Sequence, residues 1–253
     1  MTSEPFLTID DQPVSLAQAI RYLQIGRKFE TFLGEIVRQF VLEQELQARP
    51  ELLASPAAIE QSVIDFRLQR QLSDPRQFQE WLAANGLTYE AFHDQIASSF
   101  KLTALKDSIT VAKMPEYFIE RKVFLDRVVL SRIILDDREM AEELKSQIDE
   151  GASFEQLARE YSLTDDRIAN GMVGPVSRGT MPDVLRAVID EAKAGDVVGP
   201  LGMDNRWGLF RVEEFLPASI EDSQLRQTLQ DELFEQWLAE KMQRLPIKLK
   251  VDE

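Results

Sequence analysis

A chain of 253 residues, of which 44% are apolar, is long enough to bury one large core or two modest ones. Its 44 acidic residues outnumber its 29 basic residues, which gives a net charge of −15 and a surface that repels nucleic acids and anionic lipids. The absence of cysteine excludes disulfides, thiolate metal sites and thiol nucleophiles. Partners attracted by charge are therefore expected to be basic.

The N-terminal stretch MTSEPFLTIDDQPVS has no basic start followed by an apolar segment, so it does not predict a secretory leader. No stretch approaches the roughly 20 apolar residues that a membrane-spanning helix needs. On these grounds the sequence predicts a soluble, cytoplasmic protein.

Helical patterns dominate the first half of the chain. A short strand in FLTID precedes a helix that Ser15 caps, Thr88 caps a later helix, and Gly86 marks a helix end. The range 29–49 has an unusually wide stripe of apolar residues at helical spacing, which predicts packing against other helices. Its members are Phe29, Phe32, Leu33, Ile36, Val37, Phe40, Val41 and Leu46.

The pattern changes at Arg127. RVVLSRIIL predicts a strand, and the helix that follows has capping-box spacing between Asp136 and Glu139. The order of elements from there, βααβαββ over about 90 residues, predicts a small α/β domain with a mixed sheet. Residues 221–244 return to a helical pattern, and IKLKV alternates like an edge strand.

The segment from about 127 to 215 resembles the parvulins, a family of peptidyl-prolyl cis-trans isomerases. SRIIL is similar to the S-H-I-L strand of that family, and NGMVGPVSRGTM is similar to its G-G-x-L-G-x-F-x-R-G-x-M turn. FEQLAREYS resembles its second helix, AKAGDVVGPL its L-x-x-G-E-x-S-x-P stretch, and WGLFRV its closing G-y-H-I-I-x-V strand. The resemblance implies a parvulin fold for this segment.

The flanking sequences resemble chaperones of the SurA and PrsA type. NGLTYEAFHDQI and WLAEKMQRLPIKLKV are similar to two of their motifs. The resemblance implies an α+β protein with two domains: a helical domain of residues 1–122 with 217–253, completed by a C-terminal helix and by IKLKV pairing beside FLTID, and a parvulin-like domain of residues 123–216.

The isomerase reaction must overcome an amide rotation barrier of about 18–20 kcal/mol, for which a pocket that favours the twisted amide is sufficient. Parvulins have two histidines, a Cys or Asp beside them, and a Met and a Phe that line the proline cleft. The resemblance maps the histidines to Arg132 and Gly208, the Cys or Asp to Thr164, the Met to Met181 and the Phe to Leu185. The polar centre is therefore replaced, while the apolar residues largely remain.

Two interpretations of Arg132 are open at this point. It either replaces a histidine structurally, with Gly208 leaving room for its longer side chain, or contacts the substrate. A buried arginine needs a partner, and Asp165, Asp166 and Asp204 are the candidates.

Other residues are candidates for substrate contact. Arg178 either meets a peptide carbonyl or carboxylate or is a solvated loop residue, and Val176 and Trp207 are further binding candidates. Thr164 either donates a hydrogen bond to a substrate carbonyl or caps a local helix. His93 is interpreted as a partly exposed helical residue, because a single histidine has no partners for metal or acid-base chemistry.

The predicted function is a parvulin- and SurA-like folding factor. It would bind extended, proline-containing polypeptide before export or maturation, with weak or absent isomerase activity. Two alternatives stay open: an active isomerase that uses Met181, Leu185, Thr164 and Arg132, and a fixed structural subunit of a larger assembly. No metal and no cofactor are predicted, because the acidic residues occur as adjacent pairs rather than at ligand spacing.

Overall fold

A computed structural model describes residues 5–52 and 54–248. The chain divides into two compact units: the first consists of the part up to Met114 together with the part from Gln230 onward, and the second is Pro115–Leu229. Within the described ranges, no helix has both the length and the hydropathy that crossing a membrane requires.

The first unit is mainly helical. It contains a hairpin of β1 (Leu7–Ile9) and β2 (Gln12–Val14), followed by α1 (Leu16–Ile25), α2 (Phe29–Gln47), α3 (Pro56–Gln69), α4 (Pro75–Ala84) and α5 (Tyr89–Thr110). The predicted caps are confirmed: Ser15 forms a capping box with Gln18, the Thr88 hydroxyl accepts a hydrogen bond from the Ala91 N–H, and Gly86 follows α4 with a positive φ.

The predicted return of the C-terminal helix to the first domain is confirmed. Helix α10 (Ser223–Gln243) contributes its residues from Gln230 onward to the first unit. There Phe234 and Leu238 pack with Val37 and Val41 of α2 and with Leu105 of α5. His93, on α5, has a partly exposed side chain with its Nε2 3.4 Å from a Glu60 carboxylate oxygen, as expected for a helical surface residue.

The second unit is built on a four-stranded sheet in the order β4-β3-β6-β5. Its elements are α6 (Met114–Leu125), β3 (Arg127–Leu135), α7 (Arg138–Asp149), α8 (Phe154–Tyr161), β4 (Met172–Ser177), α9 (Asp183–Glu191), β5 (Val197–Met203) and β6 (Arg206–Leu216). Between β5 and β6, Asp204 and Asn205 have positive φ angles, which suits a two-residue hairpin turn.

Three expectations need correction or fall outside the structure. The sheet is not mixed, because all of its described strand pairs are antiparallel. The cap of α7 is Asp137, whose carboxylate accepts a hydrogen bond from the Glu139 N–H, rather than Asp136. The predicted strand IKLKV begins at Ile247 and Lys248, which are in no strand, and its remaining residues lie outside the described residues.

Candidate functional site

The two faces of the sheet carry different sets of side chains, because alternate residues of a strand point to opposite sides. One face, which we call the Met181 face, has a core of Val128, Leu130, Ile134, Phe210 and Val212 covered by Met181, Leu185 and Ile189. The opposite face carries Ile133, Leu135 and Leu209 and is covered by α7 and α8. Arg132 falls between Leu130 and Ile134 in this alternation and therefore belongs to the Met181 face.

Arg132 is ion-paired with Asp166. Its Nε and Nη2 atoms both lie 2.7 Å from Asp166 Oδ2. The Arg132 side chain is 36% exposed and that of Asp166 is 15% exposed, so the pair is partly desolvated. Of the three aspartates considered as partners, Asp166 is the one that fills this role, and a charge-assisted pair of this kind fixes the direction of the guanidinium.

A chain of hydrogen bonds continues from Asp166 through Thr164 to Ser162. Thr164 Oγ1 lies 2.6 Å from Asp166 Oδ1 and 3.1 Å from Ser162 Oγ, and Ser162 Oγ accepts a hydrogen bond from the Ile134 N–H. A carboxylate only accepts, so the single hydroxyl hydrogen of Thr164 goes to Asp166 and Ser162 donates to Thr164. This threonine therefore has no hydrogen left for a substrate carbonyl, and it makes no side-chain cap to the short 3₁₀ helix that follows it.

Gly208 does not make room for Arg132, contrary to the sequence expectation. Gly208 pairs with Ile134 across the two strands, whereas Arg132 pairs with Phe210. A Cβ atom at Gly208 would lie 2.6 Å from the Phe210 ring and 3.2 Å from Ile134 Cδ1. The space beside this glycine is thus filled by an aromatic ring, which occupies the surroundings of the second histidine position.

The apolar candidates Met181, Leu185 and Val176 all belong to the Met181 face. Met181 and Leu185 are 5% and 6% exposed, so each packs mainly against its neighbours in the core and offers little surface to a ligand. Val176 is partly buried against the same cluster. Whether these residues contact a bound proline stays a prediction.

Trp207 is on the other side of the sheet. It packs against the cluster that contains Ile133 and Leu209, and the Arg138 guanidinium lies 5.1 Å from the centre of its ring. The sheet therefore separates Trp207 from Met181, and a contact of Trp207 with substrate stays a prediction.

Arg178 is not a solvated loop residue. Its guanidinium lies 2.5 Å from Asp190 and 3.4 Å from Asp126, and its side chain is 26% exposed. Asp126 itself is buried and also accepts hydrogen bonds from Lys122 Nζ and the Ala218 N–H, each at 2.8 Å. Burial works to raise the pKa of Asp126, but these hydrogen bonds and the charge of Arg178 outweigh it and hold the pKa below its ordinary value.

The lowered pKa of Asp126 predicts a pH-dependent contribution to stability. The contribution is present above the ordinary carboxyl pKa and is lost as the pH falls through the lower pKa of the folded state. The variant Asp126→Asn should therefore lower the free energy of unfolding by about 1–3 kcal/mol at neutral pH, and the deficit should shrink as the pH falls below the ordinary carboxyl pKa.

Urea denaturation at a series of pH values measures this effect. The control is Asp149→Asn, which removes an exposed helical pair with Lys145 and should change stability by less than about 0.5 kcal/mol. If Asp126→Asn lowers the free energy of unfolding by the same amount at every pH, the predicted pH dependence of the Asp126 contribution is wrong.

Sequence reasoning missed two members of this site. Ser162 is fully buried and orders the Thr164 hydroxyl, and Phe210 covers Gly208. Position 210 could have been placed on the correct face from its spacing of two from position 208. No local sequence signal indicates the bond between Ser162 and the Ile134 backbone, because it joins residues 28 positions apart.

Comparison with known proteins identifies the class of the second unit. Residues 135–214 match the model of the Rotamase family, described as the PPIC-type PPIASE domain. Residues 135–214 therefore belong to a parvulin-type domain, as the motifs around Met181 implied.

The similarity to foldases extends beyond this domain. The chain is 28% identical over 166 residues to the foldase protein PrsA 2 of Bacillus anthracis, which is 62% of this chain and 55% of that protein. It is 29% identical over 155 residues to the foldase protein PrsA 2 of Bacillus cereus, which is 58% of this chain and 50% of that protein. The chain thus spans about half the length of the curated relatives that it matches.

Solved structures of such proteins are also similar. The PrsA structure from Bacillus cereus has a TM-score of 0.44 at 16% identity and covers 99% of this chain and 95% of its own. A structure titled for the SurA-like chaperones PEB4 and Cj1289 of Campylobacter jejuni has a TM-score of 0.39 at 14% identity and covers 97% of this chain and 100% of its own.

Proposed function

We propose that this protein is a foldase-type chaperone that binds extended polypeptide, including proline-containing segments, before export or maturation, and that it accelerates proline isomerisation weakly or not at all. The similarity to PrsA foldases over 166 and 155 residues, a longer stretch than the parvulin-type domain itself, supports the polypeptide client. The replacement of the two histidines supports the weak isomerase activity.

One observation carries the second part of this proposal: the polar side chains at the replaced positions that the structure describes are bonded to one another. Arg132 is paired with Asp166, the Thr164 hydroxyl hydrogen is used by the same carboxylate, and the Phe210 ring fills the space beside Gly208. Catalysis requires contacts that are stronger in the twisted amide than in the planar one, and these groups are already engaged with one another.

An active isomerase is the second candidate. Met181, Leu185 and Val176 remain together on the Met181 face. An apolar cleft there would desolvate the amide, and a less polar environment favours the twisted state. In this alternative the apolar residues would provide all the catalysis.

A peptidyl-prolyl isomerase assay with a short Ala-Pro peptide separates the two candidates. We expect the cis-to-trans rate constant to stay within about twofold of the uncatalysed value, for which isomerisation takes roughly tens to hundreds of seconds at 25 °C. A large acceleration that Met181→Ala abolishes would overturn the proposal in favour of the active isomerase. The matched control is Met140→Ala, a half-exposed methionine of the same unit.

The polypeptide-binding part is tested separately. A chemically unfolded client diluted into buffer should aggregate less when the full chain is present in equal amount, without added nucleotide or metal. Unchanged aggregation at every ratio of chain to client would contradict a chaperone role, whatever the isomerase assay gives. The cytoplasmic location stays a prediction, which cell fractionation with an antibody to the full chain would test.

A further inference from the structure

Helix α2 has apolar side chains on two faces, and only one of them is used by the core. The inner face buries Val37 and Val41 against α5 and α10. The outer face presents Phe32, Ile36 and Phe40, which are 41%, 50% and 52% exposed. Because these three residues are spaced by four, they form one continuous row along the helix. The wide apolar stripe of the sequence is thus only half covered.

This row lines a groove of about 460 Å³ together with a parallel polar row on the same helix, formed by Glu35, Gln39 and Glu43. A second groove of about 360 Å³ lies between the β1–β2 hairpin and α1, where its exposed lining includes Phe6, Ile9, Leu16 and Tyr22. Phe32 lines both grooves, so the two join in one apolar surface, which we call the α2 face.

The size of the α2 face exceeds what a monomer ordinarily exposes. Its large apolar side chains, each about half exposed, present on the order of 700 Å² to solvent. Contiguous apolar patches on soluble monomers are usually a few hundred Å². The α2 face instead approaches the roughly 800 Å² that one partner contributes to a stable protein interface.

The charged residues of the two grooves indicate which kind of partner can bind to the α2 face. Among the described residues that line the two grooves, the ionisable ones with formal charge at neutral pH are Glu35 and Glu43. Gln39 donates a hydrogen bond to Glu43 across 3.1 Å, which holds that carboxylate in the polar row. Glu35 and Glu43 are two turns apart, or about 12 Å along the helix, the distance that four residues of extended chain span.

We infer that the α2 face is the client-binding surface, and that it takes an extended segment with basic residues about four positions apart and apolar residues between them. The apolar side chains of the client would pack on Phe32, Ile36 and Phe40, and its basic groups would pair with Glu35 and Glu43. This inference rests on the proposed chaperone function and names the site and the client chemistry for it.

The acidic row disfavours the other occupants. A second copy of the chain would bring a second pair of carboxylates to the same groove, and like charges in an interface oppose association. Anionic lipid is repelled for the same reason. An unfolded client that contains lysine or arginine can pack its apolar side chains on the apolar row and pair its basic groups with the acidic row.

Fluorescence anisotropy of a labelled peptide tests the site with the full chain. The probe is a short extended peptide with lysine at every fourth position and leucine or phenylalanine between the lysines. Ile36→Ser and Phe40→Ser should each weaken its binding about tenfold. Glu35→Gln combined with Glu43→Gln should weaken it and should leave binding of an otherwise identical peptide with glutamine in place of lysine unchanged.

The matched control is Leu68→Ser, which changes a 59% exposed leucine of α3 in the same unit and should leave binding unchanged. Circular dichroism confirms that each variant is folded. Equal affinities of wild type, Ile36→Ser and Phe40→Ser would overturn the inference, as would a dimer in sedimentation that Ile36→Ser dissociates. If those variants still prevent client aggregation, the site assignment fails and the chaperone function stands; if the wild-type chain does not prevent aggregation, the chaperone function itself fails.

Discussion

The substitution Leu238→Ala is expected to lower the free energy of unfolding of the first unit by about 2–5 kcal/mol. Leu238 is fully buried near the end of α10, where it packs with Val41 and Leu105. The cavity left by the missing side chain would lie where the C-terminal helix meets two helices from the N-terminal half of the chain. The measurement is urea denaturation, with hydrogen exchange of α2 and α5 to locate the loss.

Leu68→Ala is the control for this prediction, since it removes the same atoms from an exposed site of α3 and should cost less than about 1 kcal/mol. A loss of protection confined to β3 and β6, or equal costs for the two variants, would show that α10 does not hold the first unit together.

Gly208→Ala is expected to destabilise the second unit by about 1–3 kcal/mol, because overpacking a filled core forces neighbouring side chains out of position. The new Cβ atom would overlap the ring of Phe210, which is itself buried between β3 and the covering helix. By the same reasoning, Gly208→His should fail to restore isomerase activity. Differential denaturation of the two units and the Ala-Pro assay measure the two effects.

The control is Gly202→Ala on the neighbouring strand β5, where the new Cβ atom would contact the Trp207 ring at an ordinary 3.5 Å. It should change stability by less than about 1 kcal/mol. In a Phe210→Ile background, the cost of Gly208→Ala should fall, because the smaller side chain relieves the overlap. A cost that is the same in both backgrounds would contradict the packing account of Gly208.

Local patterns in the sequence were sufficient for most of the fold. The caps at Ser15 and Thr88 depend on residues three positions away, so a short window contains all that determines them. The register of the parvulin motifs predicts Arg132 and Met181 in one domain, and both lie in the second unit.

The errors concern contacts between residues that are distant in the sequence. Arg132 pairs with Asp166 rather than with Asp165 or Asp204 because of how the short 3₁₀ helix before β4 packs beside β3. The space at Gly208 is filled because of the direction in which the Phe210 ring points. The side of the sheet on which Trp207 lies follows from local sequence instead, because its position next to Gly208 puts it on the opposite face by the alternation of a strand. The geometry of the site is thus harder to predict from the sequence than the fold is, because it depends on side-chain packing.

The most direct test of the central claim is NMR exchange spectroscopy on a proline-containing peptide titrated with the full chain, with both the peptide and the chain isotope-labelled. It reports both binding and the rate of cis–trans exchange in one sample. The account predicts chemical-shift changes in α2 with saturable binding, and exchange cross-peaks no stronger than those of the free peptide. Strong exchange cross-peaks with shift changes confined to the Met181 face would contradict it.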